Sequence, residues 1–355
     1  MTNPELERTA LGLVSPGKGI LAADETVPTL TKRFDALAIE STPSSRRDYR
    51  QLLLTTPGAA EFVSGVILYD ETLRQQSADG SPLVSVCSRL GIVPGIKVDK
   101  GAKPLAGSVG ERVTEGLDGL RERLVEYREL GARFAKWRAV FDVSDTLPSR
   151  TCVAANAHAL GRYAALCQEQ GLVPIVEPEV LMDGRHAIQR CEEVTGNVLH
   201  AVFDALFEQG VCLEGMLLKP NMVVPGSRCP IQESVGEVAA ATLRCLLRHV
   251  PPAVPGVVFL SGGQNDVIAT QHLDAINRAA GSKPWKLSFS YGRALQDAAL
   301  ATWQGRPENV AAAQRAFHHR ARCNGLAARG AYTDAEEKQA RVAAAPSASA
   351  EWGDD

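Results

Sequence analysis

The sequence predicts an α/β protein built as a single closed (β/α)8 barrel, a TIM barrel, in one domain over residues 1–332. Eight short apolar segments recur along the chain, and most are followed by a stretch in which apolar residues have helical spacing. The alternative is an open, doubly wound sheet. No GxGxxG motif follows the first segment and no shift in composition divides the chain. Strand and helix repeated eight times therefore favour the barrel.

The predicted strands are short apolar runs, and most of them end on a polar or charged residue. They lie at 20–24, 65–70, 93–99, 134–141, 172–179, 213–221, 256–263 and 286–293. The predicted helices have apolar residues every three or four positions. They lie at 5–15, 113–130, 154–170, 186–209, 233–248, 264–280 and 307–329. The first of these is an N-terminal helix that precedes the barrel.

Composition indicates a soluble enzyme. The net charge of −3 argues against a nucleic-acid or anionic-membrane binder, and no apolar run is long enough to span a bilayer. Eight scattered cysteines without a CxxC motif are typical of a reducing compartment. The first residues lack the basic and apolar regions of a signal peptide, so we expect a cytoplasmic location. The segment 333–355 is rich in Ala, Ser and acidic residues and is predicted to be a mobile C-terminal tail.

Charged and polar residues cluster at the carboxyl ends of the predicted strands, which form the active face of such barrels. One charged residue in a strand is commonly a satisfied structural group, and a buried salt-bridge network is the structural alternative. Charges on most of eight strands, however, would converge on one mouth. The candidates are Asp24, Lys97, Lys136, Arg138, Glu177, Glu179, Lys219, Ser261 and Arg293.

Lys219 ends the sixth predicted strand and is the central candidate. Burial disfavours the charged form of a lysine and leaves some neutral amine, which can attack a carbonyl carbon. A second ammonium, that of Lys136, would repel the charge on Lys219. Glu177 can exchange protons with a carbinolamine oxygen, and Asp24 can accept a proton from a substrate hydroxyl. These residue types predict carbon–carbon chemistry through a Schiff base.

Two segments are candidate phosphate sites. The Ser-Gly-Gly segment 261–263 closes the seventh strand, where glycines let backbone N–H groups approach an anion. Arg293 follows the eighth strand, the other common phosphate position of this barrel. Lys32 and Arg33 follow Asp24 within two helical turns and could hold a second phosphate. A solvated helix face is the alternative for that basic pair.

The sequence predicts no catalytic metal. None of the seven histidines lies at a predicted strand end, and the cysteines show no zinc-ligand spacing. His318 and His319 are adjacent, so they point to different faces of a helix. We therefore expect no cofactor and a mechanism that does not need a metal.

Eight motifs, in unbroken order from about residue 10 to residue 332, carry a specific resemblance. They are GILAADE (19–25), RR-x-YRQLL (46–53), GIKVDKG (95–101), FAKWR (134–138), VPIVEPE (173–179), LLKPNM (217–222), FLSGGQ (259–264) and FSYGRAL (289–295). In these stretches the chain resembles the class I fructose-bisphosphate aldolases. The resemblance implies a homotetramer of (β/α)8 subunits that binds small-molecule sugar phosphates and neither nucleic acid nor membrane.

The resemblance also implies roles for individual residues. Lys219 would form the Schiff base, Lys136 and Glu177 would assist carbinolamine formation and dehydration, and Asp24 would accept the C4 hydroxyl proton. Supporting site residues would be Glu179, Arg138 and Lys97. One phosphate would be bound by Ser261, Gly262, Ser290, Gly292 and Arg293, and the other would lie near Lys32 and Arg33. The implied reaction is reversible cleavage of fructose 1,6-bisphosphate to dihydroxyacetone phosphate and glyceraldehyde 3-phosphate.

The sequence departs from the family pattern at two places. Where the family often has serines and a glycine after the Asp-Glu pair, this chain has Thr-Val-Pro-Thr at 26–29, which predicts a stiffer loop. The last tyrosine is Tyr332, whereas animal-type members end in a tyrosine that helps to protonate the enamine. Two alternatives remain at this point: another Schiff-base lyase or transaldolase-like enzyme on the same barrel, and a catalytically inactive scaffold protein.

Overall fold

A computed structural model describes residues 4–343 and the side chains of residues 4–338. Its centre is a closed barrel of eight parallel strands, which are β1 (Gly19–Ala23), β2 (Val63–Leu68), β3 (Val93–Lys97), β6 (Phe134–Phe141), β7 (Val173–Val180), β8 (Leu217–Leu218), β9 (Gly256–Phe259) and β10 (Lys286–Tyr291). Around the barrel they follow the order β1-β10-β9-β8-β7-β6-β3-β2. An antiparallel hairpin of β4 (Ala102–Pro104) and β5 (Arg112–Thr114) lies between β3 and β6. The predicted barrel is confirmed.

The helices surround the barrel, and several begin with a side-chain cap. They are α1 (Pro4–Leu13), α2 (Val27–Asp35), α3 (Pro43–Leu54), α4 (Asp70–Arg74), α5 (Leu83–Arg89), α6 (Leu120–Glu129), α7 (Arg150–Glu169), α8 (Ile188–Glu208), α9 (Val235–His249), α10 (Asp266–Arg278), α11 (Arg293–Trp303), α12 (Val310–Ala327) and α13 (Asp334–Ala343). Ser234 and Glu237, for example, form a capping box that satisfies backbone N–H groups at the start of α9. No helix within residues 4–343 is both long and apolar enough to cross a lipid bilayer.

The N-terminal helix closes the end of the barrel at which the strands begin. Leu6, Ala10 and Leu13 of α1 form one apolar cluster with interior residues such as Phe134 and Val258. The second and larger cluster fills the layer between the strands and the outer helices. Because apolar side chains fill the amino end of the barrel and α1 covers it, we expect the active site at the carboxyl end.

The register between neighbouring strands places several charged residues directly beside one another. Lys97 of β3 is paired with Lys136 of β6, and Arg138 of β6 is paired with Glu177 of β7. Because successive side chains alternate between the two faces of a strand, Lys136 and Arg138 share a face, as do Glu177 and Glu179. Several of the predicted candidates therefore meet on neighbouring strands.

Two predicted elements differ from the structure. The helix predicted at 113–130 begins only at Leu120, because the hairpin strand β5 occupies Arg112–Thr114. The strand predicted at 213–221 is reduced to Leu217–Leu218 and is preceded by one turn of 3₁₀ helix at Leu213–Gly215. Lys219 consequently follows the strand directly, and its backbone N–H still donates to the carbonyl of Val176 at 2.8 Å.

The segment expected to be a mobile tail, 333–355, begins with α13. Glu337 of this helix accepts hydrogen bonds from Arg320 of α12 and from the hydroxyl of Tyr332. Alanine and glutamate, the residues on which the tail prediction rests, are also good helix formers, and these polar contacts fix the first turns of the helix. Residues 344–355 lie outside the described residues.

Candidate active site

Four charged side chains form a chain of ion pairs at the carboxyl end of the barrel. Glu177 lies between two ammonium groups, with Oε1 3.2 Å from Nζ of Lys219 and Oε2 3.3 Å from Nζ of Lys136. Lys136 also contacts Asp24, whose Oδ2 atom lies 2.6 Å from its Nζ. Glu177, Lys136 and Lys219 are each 3 % exposed. Four of the predicted catalytic residues are thus brought together from four different strands or the residues that follow them.

The charges of this cluster shift the proton affinities of two of its members. Burial alone would raise the pKa of Asp24, but the ammonium groups of Lys136 and Lys219 hold that pKa well below its usual range. Burial alone would lower the pKa of Lys136, but the carboxylates of Asp24 and Glu177 raise it well above the usual value. Asp24 is therefore an anion and Lys136 a cation at neutral pH.

Lys97, Arg138 and Glu179 form a supporting layer beside the catalytic cluster. Nζ of Lys97 donates to the carboxylate of Asp99 at 2.5 Å and to its carbonyl oxygen at 2.8 Å. The guanidinium of Arg138 is paired with Glu179, and the backbone N–H of Arg138 donates to Asp99 at 3.3 Å. Sequence reasoning gave Asp99 no role, although it stands two residues after Lys97 in a quoted motif. Its carboxylate connects β3 to β6.

The predicted phosphate site gathers the ends of β9 and β10. Gly262 and Gly263 have positive φ angles of 56° and 89°, a conformation that favours glycine. The Arg293 guanidinium lies against Gly263, since a Cβ atom placed there would be 3.5 Å from Nη2. Ser290 is 1 % exposed, and its Oγ has no hydrogen-bond partner among the described residues. This end of β9 and β10 therefore offers hydrogen-bond donors to a ligand.

The other two predicted residues of this site, Ser261 and Gly292, lie at the ends of the same two strands. Ser261 is buried two residues after the end of β9, and Gly292 precedes the first residue of α11. Free backbone N–H groups at the start of a helix attract an anion. The structure therefore brings all five predicted residues of the first phosphate site to adjacent strand ends.

The two residues of the second predicted phosphate site, Lys32 and Arg33, have different surroundings in the structure. Arg33 of α2 is paired with Glu25 and lies 2.8 Å from Asp297 of α11, so it is tied to the barrel mouth. Lys32, one residue earlier, is exposed. Residues 26–29, which differ from the family pattern, form the start of α2. There the Thr26 hydroxyl accepts a hydrogen bond from the backbone N–H of Thr29. This loop is fixed by its cap.

Sequence reasoning missed the network that holds Glu25 beside Asp24. Arg50 of α3 donates to the Glu25 carboxylate at 2.5 Å and to its carbonyl oxygen at 3.2 Å, and Gln296 of α11 donates at 2.9 Å. Burial would raise the pKa of Glu25, but the guanidinium groups of Arg50 and Arg33 lower it. Glu25 and Arg50 both stood in quoted motifs, and a buried arginine needs such an acceptor.

The chain is similar to known proteins over most of its length. A family model described as fructose-bisphosphate aldolase class-I matches residues 5–350. The chain is 57 % identical over 331 residues to a Xanthomonas campestris pv. campestris protein named "Probable fructose-bisphosphate aldolase class 1", covering 93 % of this chain and 99 % of that protein. It is 53 % identical over 329 residues to fructose-bisphosphate aldolase C of Rattus norvegicus, covering 92 % and 91 % of the two chains.

A solved structure supports the same assignment at the level of the fold. The fructose-bisphosphate aldolase of Plasmodium falciparum, in a complex with TRAP and a small-molecule inhibitor, superposes with a TM-score of 0.92 at 51 % identity. The match covers 93 % of this chain and 95 % of that one. Because the family model spans nearly the whole chain and the relatives match at more than half of the aligned positions, the chain belongs to the class I fructose-bisphosphate aldolases.

Proposed function

We propose that Lys219 is the residue that forms the covalent intermediate in this aldolase. Enzymes of this class cleave fructose 1,6-bisphosphate reversibly through a lysine Schiff base and need no metal. The observation that carries the proposal is the buried Lys136–Glu177–Lys219 chain of ion pairs. Lys219 lies at the barrel mouth directly after β8, with a carboxylate 3.2 Å from its nitrogen. A nucleophile beside a group that exchanges protons is the arrangement that carbonyl addition requires.

Glu177 and Lys136 act in the proton transfers of Schiff-base formation. Attack of the Lys219 amine on the substrate ketone gives a carbinolamine, whose oxygen must leave as water. Glu177 lies within reach of Lys219 and can take the amine proton and return it to the departing oxygen. The Lys136 ammonium compensates the charge of Glu177 and stabilises negative charge on the carbinolamine oxygen.

Asp24 accepts the hydroxyl proton of C4 as the bond between C3 and C4 breaks. The electrons of that bond move into the protonated imine on Lys219, which becomes an enamine while the C4 alcohol becomes an aldehyde. Asp24 is ionised because Lys136 lies 2.6 Å away, so it is ready to accept a proton. Glu179, Arg138 and Lys97 position this cluster from neighbouring strands.

The two phosphates of the substrate are held by two groups of polar and basic residues at the mouth. One is bound by Ser261, Gly262, Ser290, Gly292 and Arg293. The buried, unpartnered hydroxyl of Ser290 and the positive φ angle of Gly262 support this assignment. The other phosphate lies near Lys32 and Arg33. The exposure of Lys32 on α2 leaves its ammonium available to a ligand in solution.

Borohydride reduction in the presence of dihydroxyacetone phosphate tests the assignment of Lys219. Reduction converts the imine to a stable secondary amine, which peptide mass mapping locates. We expect the adduct on Lys219 and its loss in Lys219→Ala. Lys286→Ala is the matched control, because this lysine starts β10 at the opposite end of the barrel and is exposed. An adduct on Lys136 or Lys97 would contradict the proposed roles.

Comparing turnover of a bisphosphate with that of a monophosphate tests the two phosphate sites. Two sites predict a higher kcat/KM for the bisphosphate, whereas equal values would favour a transaldolase-like activity. Activity should survive EDTA, and a loss that added zinc restores would contradict the metal-independent mechanism.

The assembly, location and domain limits complete the proposal. We propose a homotetramer, as the resemblance implies, and a cytoplasmic location, with a catalytic domain over 1–332 followed by a C-terminal segment over 333–355. Sedimentation analysis tests the first point, and a monomer would contradict it. A chain truncated after residue 332 tests the domain limit, because it should fold and form the imine on Lys219.

A further inference from the structure

A second group of polar side chains lies away from the barrel mouth, where α13 packs on α12. It consists of His319 and Cys323 of α12 and Glu337 of α13. Their ligand atoms all lie within 4.8 Å of one another. Among the side chains described for residues 4–338, no other set of three or more His, Cys, Asp and Glu residues is gathered in this way. The proposed aldolase mechanism uses none of the three.

The two ligand atoms on α12 already have the spacing of a metal site. His319 and Cys323 are four residues apart and share one face of the helix. Nε2 of His319 lies 3.5 Å from Sγ of Cys323. A tetrahedral zinc ion with bonds of about 2.3 Å to sulfur and about 2.0 Å to nitrogen requires about 3.5 Å between those two atoms. No movement of the helix is needed to form this edge of the tetrahedron.

Glu337 of α13 supplies the third ligand atom, and its surroundings allow its carboxylate to change partner. Its carboxylate now accepts from Arg320 at 2.6 Å and 3.0 Å and from the hydroxyl of Tyr332 at 2.8 Å. Arg320 also lies 3.0 Å from the carboxylate of Asp266, so it keeps an anionic partner if one oxygen of Glu337 turns to a metal. The hydrogen bond from Tyr332 would then orient the ligand, as outer partners of metal ligands usually do.

We propose that His319, Cys323 and Glu337 bind zinc or a similar thiophilic divalent cation, with water in the fourth position, and that this ion fastens α13 to α12. Imidazole and thiolate are the ligands that select zinc over magnesium or calcium. As the sulfur–metal bond forms, the Cys323 thiol gives its proton to solvent. The thiolate and the carboxylate then balance the two positive charges of the ion. The site is structural and is separate from the Schiff-base chemistry on Lys219.

Cobalt titration of the full-length, chelator-treated protein tests the site, because a thiolate bound to Co²⁺ gives a near-ultraviolet charge-transfer band. We expect the band in the wild-type protein and its displacement by zinc. Cys323→Ala and His319→Gln should each remove it. His318→Gln is the matched control, because this neighbouring ring faces Phe62 at 5.6 Å and should leave the band unchanged. A band that survives Cys323→Ala would place the metal on another cysteine and overturn the proposal, as would the absence of any band in the wild-type protein.

Hydrogen exchange of backbone amides gives a second readout that does not depend on an absorption band. Zinc should slow exchange in the segment 334–343 of the wild-type protein and leave exchange unchanged in Cys323→Ala. Thermal unfolding without metal shows whether this variant is folded. If it is not, Glu337→Gln replaces it, since this change keeps the side-chain shape and removes the anionic ligand. Equal protection by zinc in the wild-type protein and in a folded variant would overturn the proposal.

Discussion

The ammonium group of Lys136 joins the carboxylates of Asp24 and Glu177, with its nitrogen 2.6 Å from the first and 3.3 Å from the second. These two acids come from strands that are far apart in sequence and have different tasks in the proposed mechanism. The lysine places a positive charge between the two acids in a buried site, where two carboxylates without a cation would repel each other. The relationship makes Asp24 the first residue to test.

Asp24→Asn should separate bond cleavage from Schiff-base formation. The amide cannot accept the C4 hydroxyl proton, so we expect turnover of fructose 1,6-bisphosphate to fall by roughly 10²- to 10⁴-fold, the usual contribution of a positioned base. Borohydride trapping of dihydroxyacetone phosphate on Lys219 should persist. The control is Asp48→Asn on α3, an exposed aspartate paired with Arg47, which should keep both activities. Parallel loss of trapping and turnover in Asp24→Asn would contradict the assignment.

Asp24 should also make folding stability depend on pH. Its pKa is lower in the folded protein than in the unfolded chain, where aspartate has a pKa of about 3.9. The unfolded state therefore binds more protons, and the stabilisation is complete above the unfolded pKa and is lost as the pH falls below it. We expect the slope of unfolding free energy against pH, measured by urea unfolding between about pH 5 and pH 3, to be smaller in Asp24→Asn. The difference should approach 1.4 kcal/mol per pH unit, roughly the value for one proton.

Ser290→Ala provides the control for that slope, because it changes the same barrel mouth without removing a titrating group. Its slope should equal that of the wild-type protein. Equal slopes for the wild-type protein and Asp24→Asn would show that Asp24 does not titrate with folding as proposed.

Ser290→Ala should weaken substrate binding without weakening the fold. The Oγ atom is buried and lacks a hydrogen-bond partner among the described residues, so its removal costs the folded protein no interaction. A hydrogen bond to a phosphate is a bond to a charged group, worth about 1.5–3 kcal/mol, so we expect KM to rise roughly 10- to 150-fold. Steady-state kinetics and thermal unfolding measure the two effects.

Ser288→Ala is the matched control for that change. Ser288 lies two residues earlier on the same strand, and its hydroxyl donates to the carbonyl of Lys18 at 2.6 Å. Its loss should lower the unfolding free energy by about 1 kcal/mol and leave KM unchanged. If the two variants exchange these results, Ser290 is a structural residue and does not bind phosphate.

Gly263→Ala should affect both the backbone and the phosphate site. A φ angle of 89° is unfavourable for alanine by about 1–3 kcal/mol, and the added methyl group would lie 3.5 Å from Nη2 of Arg293. We expect a lower melting temperature together with a higher KM. Gly281→Ala carries a similar penalty at a φ of 101°, with no atom within 4 Å of the added carbon, and should lower stability alone. Equal KM values in the two variants would remove Gly263 from the binding site.

The sequence was sufficient to predict the barrel because its strands are local patterns. Each is a short apolar run, and the polar residue at its end fixes the direction in which the site must lie. Phe134–Phe141, for example, has the predicted bounds. The hairpin strand Arg112–Thr114 overlaps the helix predicted at 113–130. Its few apolar residues also fit the helical spacing of the stretch that follows.

Pairings between distant residues could not be predicted in this way. The ion pair between Arg33 and Asp297 joins residues 264 positions apart, and neither neighbourhood contains a signal for the other. The position of Glu177 between two ammonium groups likewise depends on strand register. The sequence suggested direct repulsion between Lys136 and Lys219, whereas the structure places a carboxylate in contact with both.

The contact between β1 and β10 has a consequence for the growing polypeptide. These strands carry Asp24 and Ser290 to the same mouth, and they pair directly with each other, although the first is made long before the second. A nascent chain can therefore bury its early strands, but the ring stays open until Lys286–Tyr291 has left the ribosome. Sugar phosphate should meet a functional binding pocket only after β10 has been made and paired, so translation products that stop before Lys286 should not consume metabolite.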